Sequence, residues 1–160
     1  MSFRIGFGYD VHRLKKGIPF WLGGIEIAFH KGSVGHSDAD VLLHAICDAI
    51  LGAAALGDIG THFPDTDPAF KGIPSTILLR RTGELLKSRG YEIGNIDSTI
   101  CLQNPKVLPY IAKMREQIAR FLGLQEDQVS VKATTEEKLG FTGREEGVSA
   151  YAVVLIRTIT

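Results

Sequence analysis

Over residues 3–14 apolar and polar positions alternate: Ile5, Phe7, Tyr9 and Val11 fall on one face, and Arg4, Gly6, Gly8, Asp10 and His12 on the other. That period of two predicts a β-strand whose polar face carries a carboxylate and an imidazole. Residues 20–22 and 25–27 are apolar runs flanking Gly23-Gly24, which predicts a β-hairpin with a two-residue glycine turn. Residues 37–56 predict the main helix: Ser37 followed three positions later by Asp40 resembles a capping box, Val41, Ile46, Ile50 and Leu51 extend an apolar side, and Gly57 closes it. Residues 58–68, rich in turn formers and holding Pro64 and Pro68, predict an exposed loop. Beyond it the pattern predicts an amphipathic helix over 75–88 ended by Gly90, a strand over 93–102, a helix over 109–122, a short strand over 129–133 and a long strand over 148–159.

Helices interspersed with strands predict one α+β domain of mixed α/β layers spanning residues 1–160, with a small mixed sheet, helices on one of its faces and a hairpin. The final strand is apolar at Ala150, Ala152, Val153, Val154, Leu155 and Ile156, so both of its faces are expected to be buried. Three helices cover only one face of a small sheet. A second copy of the chain or the glycine-rich hairpin is left to cover the other.

A chain of 160 residues with 44% hydrophobic positions can build a core without staples. Eighteen basic residues against eighteen acidic ones leave no net charge, which argues against a partner bound through its phosphate backbone or an anionic membrane surface. Cys47 and Cys101 lie far apart and outside any C-x-x-C pattern, as expected in a reducing compartment. The most apolar stretch, residues 41–57, contains His44 and Asp48 and is too short and too polar for a membrane span. With neither a signal core nor a transit segment at the start, a soluble cytoplasmic protein is expected.

Residues 36–67 hold six aspartates, three histidines and no Lys or Arg. A solvated acidic face explains this composition as well as a divalent cation does. Asp10 and His12, two apart on a strand, point the same way with Cα atoms roughly 6.5–7 Å apart, a span that can chelate one ion. A helix-borne His44 would complete a three-ligand site; otherwise it is a core histidine and Asp10–His12 an edge ion pair. Two nitrogens and one carboxylate suit Zn²⁺ with an open fourth position for water or a substrate oxygen. His36 and Ser37, at the start of the predicted helix, suit an anion. Thr134 and Thr135 followed by Glu136 and Glu137 suit a phosphate with an Mg²⁺-type ion, or an ordinary helix cap.

Five blocks together resemble the 2-C-methyl-D-erythritol 2,4-cyclodiphosphate synthase family: residues 4–12, His36-Ser37-Asp38-Ala39-Asp40-Val41, Gly57-Asp58-Ile59-Gly60, residues 63–68 and residues 132–144. The resemblance implies cyclisation of 4-diphosphocytidyl-2-C-methyl-D-erythritol 2-phosphate to the 2,4-cyclodiphosphate with release of CMP, in the non-mevalonate isoprenoid pathway. It implies Zn²⁺ on Asp10, His12 and His44, Mg²⁺ or Mn²⁺ on Glu137, and His36 and Thr135 steadying the transition state. Ser37 belongs to the same anion pocket. Asp58, Ile59, Gly60, Phe63, Pro64, Asp65, Thr66 and Asp67 match sugar contacts. Pro105, Lys106, Ala133, Thr134 and Thr135 match a cytidine pocket, with Glu136, Phe141 and Arg144 near bound ligand. It also implies a homotrimer with active sites between subunits. Two positions depart from the family: Glu136, where a small or hydroxylated residue is usual, and Leu102, often small near the cytosine. The ligand set alone equally serves a zinc phosphohydrolase, and a metal-binding scaffold would show metal uptake without CMP release.

Overall fold

In the computed structural model, which describes residues 2–159, the N-terminal alternation becomes strand β1 (Phe3–Lys16). The predicted hairpin forms from β2 (Phe20–Leu22) and β3 (Ile25–Ile27), with Phe20 opposite Ile27 and Leu22 opposite Ile25. A short β4 (Lys31–Ser33), absent from the sequence expectation, pairs antiparallel with the end of β1. The chain then runs through helices α1 (Val41–Ala53), α2 (Ile59–His62) and α3 (Ser75–Ser88) to β5 (Tyr91–Cys101). Helix α4 (Ile111–Leu122), β6 (Val129–Thr134), the single turn α5 (Gly140–Gly143) and β7 (Gly147–Thr158) complete it. The sheet is five-stranded in the order β4-β1-β7-β5-β6. Only the β5–β6 pair is parallel, so the sheet is mixed, as expected.

Helix α1 is the centre of the core, with Val41, Leu42, Ala45, Ile46, Ala49 and Ile50 all fully buried. It lies against the glycine face of β1. A Cβ on Gly6 would sit 1.8 Å from the Ala49 carbonyl oxygen and one on Gly8 1.9 Å from that of Ala45, so only glycine permits this approach. The helix begins at Val41 rather than at Ser37. Asp40, not Ser37, is its N-cap, because the Asp40 carboxylate accepts the Leu43 N–H at 3.1 Å and also the N–H groups of Gly23 and Gly24 in the hairpin. His36 and Ser37 therefore stand upstream of the helix, and its dipole does not account for an anion there. The segment 58–68, expected as loop throughout, contains α2, capped by Asp58, which accepts the Thr61 N–H at 2.9 Å.

The expectation that β7 is buried on both faces does not hold within one chain. Ala150, Ala152, Val154 and Ile156 face the helices and are buried, whereas Tyr151 and Val153 on the other face are 41% and 43% exposed. Their neighbours on β1 are more open still, with Ile5 at 71% and Phe7 at 62%. The helices cover one side of the sheet and the hairpin does not cover the other.

Candidate metal and ligand site

The strand period puts Asp10 and His12 on the face of β1 that also bears Gly6 and Gly8. Close contact of the glycines with α1 brings His44, next to Ala45, up to them. Asp10 Oδ2 lies 2.9 Å from His12 Nε2 and 3.0 Å from His44 Nδ1, and the two ring nitrogens are 3.1 Å apart. The sequence-predicted triad is thus assembled, half-buried, from two elements. His12 donates its other ring N–H, from Nδ1, to the Val34 carbonyl at 3.0 Å. His44 Nε2 is held by the hydroxyls of Ser75 at 2.9 Å and Ser37 at 3.1 Å.

Burial opposes charge on Asp10, but the hydrogen bonds from His12 and His44 outweigh it and hold the carboxyl well below the usual carboxylate range. The His12 imidazole is raised: burial disfavours its charge, and the Asp10 hydrogen bond and charge more than compensate. The residues fit a divalent metal. Their three ligand atoms are almost equidistant, near the ~3.3 Å edges of a tetrahedron with ~2.0–2.1 Å bonds, and the remote ring nitrogens are already fixed by other partners.

Beside the triad lies a cavity of about 410 Å³ lined by His12, His44, His36, Ser37, Ile59, Gly60, Phe63, Pro64 and Asp65. These are predicted metal, anion and sugar residues, brought to one place from four chain segments. Asp58, Thr66 and Asp67 do not line it. The Asp58 carboxylate is turned into its own helix cap, accepting the Thr61 N–H and hydroxyl. The Asp67 carboxylate accepts the Ala69 N–H at 2.9 Å, while its carbonyl takes the His36 Nε2 bond at 3.1 Å and orients that ring. Sequence reasoning missed Asp48, whose carboxylate accepts the Ile59 N–H at 2.7 Å and anchors the 58–68 segment. Its position four residues after His44, on the same helix face, was a usable signal. It also missed Ser75, which no sequence pattern marks.

The predicted nucleotide residues lie elsewhere in the same chain. Asp10 pairs with Ala150, Ala150 with Ile100 and Ile100 with Ala133, so Ala133 stands three strand spacings, ~14 Å, from Asp10. Thr134 ends β6, Thr135 and Glu137 follow it, and the Lys138 N–H donates to Gln103 Oε1 at 3.1 Å, tying that turn to the segment of Pro105 and Lys106. Of these six, Ala133, Thr134, Lys106 and Glu137 are exposed and Pro105 and Thr135 half-exposed, and none lines the triad's cavity. Glu136 and Glu137 diverge: Glu136 lines a small separate cavity with Tyr9, Phe141 and Tyr151, whereas Glu137 sits on a left-handed turn with φ of 53°. Phe141 and Arg144 line a further cavity of about 490 Å³ that also touches His12, and Arg144 is paired with Glu146 at 2.9 Å. The Leu102 side chain, 4% exposed, packs in the core.

Comparison with known proteins identifies the family of this chain. The YgbB family's sequence model matches residues 3–157. The chain belongs to the YgbB family. It is 63% identical over 155 residues to the 2-C-methyl-D-erythritol 2,4-cyclodiphosphate synthase of Syntrophobacter fumaroxidans, covering 97% of this chain and 98% of that one. It is 61% identical over 154 residues to the Porphyromonas gingivalis protein of the same name, covering 96% and 95%. Among solved YgbB-like structures, the bifunctional IspDF of Campylobacter jejuni superposes with a TM-score of 0.95 at 42% identity, covering 99% of this chain and 43% of that longer one. The CDP complex of Plasmodium falciparum IspF gives a TM-score of 0.87 at 35% identity, covering 99% and 98%. The mixed α+β architecture expected from the element order is that of the YgbB family.

Proposed function

We propose that this protein is a 2-C-methyl-D-erythritol 2,4-cyclodiphosphate synthase, a phosphorus–oxygen lyase of non-mevalonate isoprenoid biosynthesis. It cyclises 4-diphosphocytidyl-2-C-methyl-D-erythritol 2-phosphate and releases CMP. The observation that carries this reading is the Asp10–His12–His44 cluster opening directly onto the cavity lined by His36, Ser37 and residues 59–65. The Ser37 hydroxyl lies 3.1 Å from His44 Nε2, but that ring belongs to the metal cluster and is not a free general base for a serine nucleophile. The reaction needs no such nucleophile, because the substrate's own 2-phosphate oxygen attacks the β-phosphorus and the bond to the CMP oxygen breaks.

The chain's work is positioning and charge. Asp10, His12 and His44 hold Zn²⁺, which supplies a Lewis acid for a phosphate oxygen. His36, oriented by the bond from its Nε2–H to the Asp67 carbonyl, and Ser37 face the same cavity; the Ser37 hydroxyl, and His36 Nδ1 in the imidazolium form, donate to phosphate oxygens as charge builds in the transition state. Ile59, Gly60, Phe63, Pro64 and Asp65 form the wall against which the methylerythritol part lies, with Asp58 and Asp67 fixing that wall's shape and Thr66 between them contacting the sugar. Thr135 steadies the phosphates from the nucleotide side, Glu137 holds Mg²⁺ or Mn²⁺ there, and Pro105, Lys106, Ala133 and Thr134 receive the cytidine.

The two half-sites join in a homotrimer. Supporting this, Phe3, Ile5, Phe7, Tyr9 and Val11 leave a continuous apolar face on β1 that a single chain does not bury. The zinc side and the nucleotide side of one chain are three strands apart, so a neighbouring copy brings a nucleotide side within reach of the triad. Both cysteines are unpaired and buried, which supports a reducing, cytoplasmic setting. Assay of CMP release from the cytidylyl substrate, with and without chelator, tests the whole reading. Chelator-sensitive release of CMP and a cyclic diphosphate is expected. Incorporation of solvent oxygen instead identifies a zinc phosphohydrolase.

A further inference from the structure

The hydrogen bonds beyond His44 have a direction. Ser75, fully buried at the first residue of α3, donates its hydroxyl proton to Asp38 Oδ1. Asp38 Oδ2 accepts the Ser75 backbone N–H at 2.9 Å, and Asp38 Oδ1 the Asp40 N–H at 3.2 Å. A carboxylate only accepts, so the Ser75 hydroxyl spends its single proton on Asp38. Its oxygen then faces His44 Nε2 at 2.9 Å as an acceptor. Ser37 Oγ, 3.1 Å from the same nitrogen, accepts the Ala39 N–H at 3.1 Å, and its own proton has the Ser75 oxygen at 3.5 Å as a partner, which leaves a lone pair of Ser37 to face Nε2 as well.

We infer that Asp38 and Ser75 are positioning residues that set the tautomer of His44. The relay Asp38–Ser75–His44 holds a proton on Nε2, so that Nδ1, which points at Asp10 and His12 and donates to Asp10 Oδ2 at 3.0 Å without a metal, is the nitrogen whose lone pair a metal would take. The inference rests on the reading of Asp10, His12 and His44 as metal ligands and extends it to residues outside the ligand set. The Val34 carbonyl does the same for His12 from the opposite ring nitrogen, so the two imidazoles present Nδ1 and Nε2 respectively to one point. The relay also couples the site to the fold, because Asp38 ties the segment before α1 to the first turn of α3.

The test is equilibrium zinc affinity, measured by competition with a chromophoric chelator, on the full chain and on Ser75→Ala, Asp38→Asn and Thr82→Val. Alanine suits a first helical turn, and the Asp38 amide keeps the shape while no longer accepting from both the Ser75 hydroxyl and amide. Thr82, buried on the same helix away from the triad, controls for general loosening of α3. Both relay variants are expected to bind zinc roughly 10–100-fold more weakly and to shift the visible bands of bound Co²⁺, with Thr82→Val close to the parent. Wild-type protein that takes up no zinc overturns the metal site itself. Zinc uptake by the parent with folded, equally tight Ser75→Ala and Asp38→Asn overturns the relay alone. Nitrogen-15 spectra of zinc-loaded parent protein decide the matter even where a variant does not fold. A protonated, exchange-protected His44 Nε2 supports the relay, and an Nε2 without a proton contradicts it.

Discussion

Asp10 Oδ2 and His44 Nδ1 stand 3.0 Å apart across 34 residues of chain. That contact exists because α1 rests on the glycine face of β1. His44→Ala removes one ligand atom from a helix that already carries Ala45, Ala49 and Ala53 on its buried side, and alanine is the best helix former, so folding should survive. Zinc affinity should fall by more than the ~10–100-fold typical of changes outside the ligand set. Metal content of the purified variant beside its thermal midpoint checks both halves.

The glycines under α1 offer a complementary test. Gly8→Ala places a Cβ 1.9 Å from the backbone oxygen of Ala45, which no side-chain rotation relieves. A loss of at least ~1–3 kcal/mol is expected, with displacement of α1 and therefore of His44 from β1. At roughly 2–4 °C per kcal/mol, the thermal midpoint should drop visibly and zinc uptake with it. Gly17→Ala, at a site with φ of 81° but open space around it, should lower the midpoint and leave zinc uptake unchanged.

The open apolar face predicts assembly. Sedimentation should give a mass near three times 17.4 kDa, and Phe7→Asp, a charge on a residue 62% exposed in the single chain, should lower it. Mixing inactive His44→Ala and Thr135→Ala chains under conditions that reassemble the trimer should regenerate some intact sites. An active, stable monomer would rule out the shared-site arrangement.

Glu137 and Glu136 are separable because their environments differ. Glu137→Gln should retain zinc but weaken the dependence of CMP release on Mg²⁺ or Mn²⁺, since an amide lacks the carboxylate charge. Glu136→Gln, facing Tyr9 and Tyr151 instead, should leave that dependence in place. The reverse pattern in metal titrations would assign the ion to Glu136.

Neither thiol should react in the native protein. Burial pushes the Cys47 thiol up to about 12, and burial together with Glu136 raises Cys101. Iodoacetamide at pH 8 should modify both only after denaturation, as read by mass spectrometry.

The local patterns of the chain determined all of its strands but β4, its hairpin, two of its long helices and the types of residue at the site. Period two put Asp10 and His12 on one face, Gly23-Gly24 turned the hairpin, and the spacing of apolar positions marked α3 and α4, because these depend on neighbours within a few residues. The order of the blocks also made the family legible. What folding alone decided was which distant groups meet. The approach of α1 to Gly6 and Gly8 joined His44 to the triad, and the Asp40 carboxylate, by bridging the hairpin to α1, moved the helix start away from Ser37. The pairing of Ser75 with Asp38 and the separation of Ala133 from Asp10 depend on sheet order and helix docking. The apolar alternation of β1 is the clearest case. Periodicity establishes that a strand has an apolar face. Whether that face meets a helix or stays open depends on which side the neighbouring elements pack, and here the glycines, which let a backbone come closest, drew the helix to the other side.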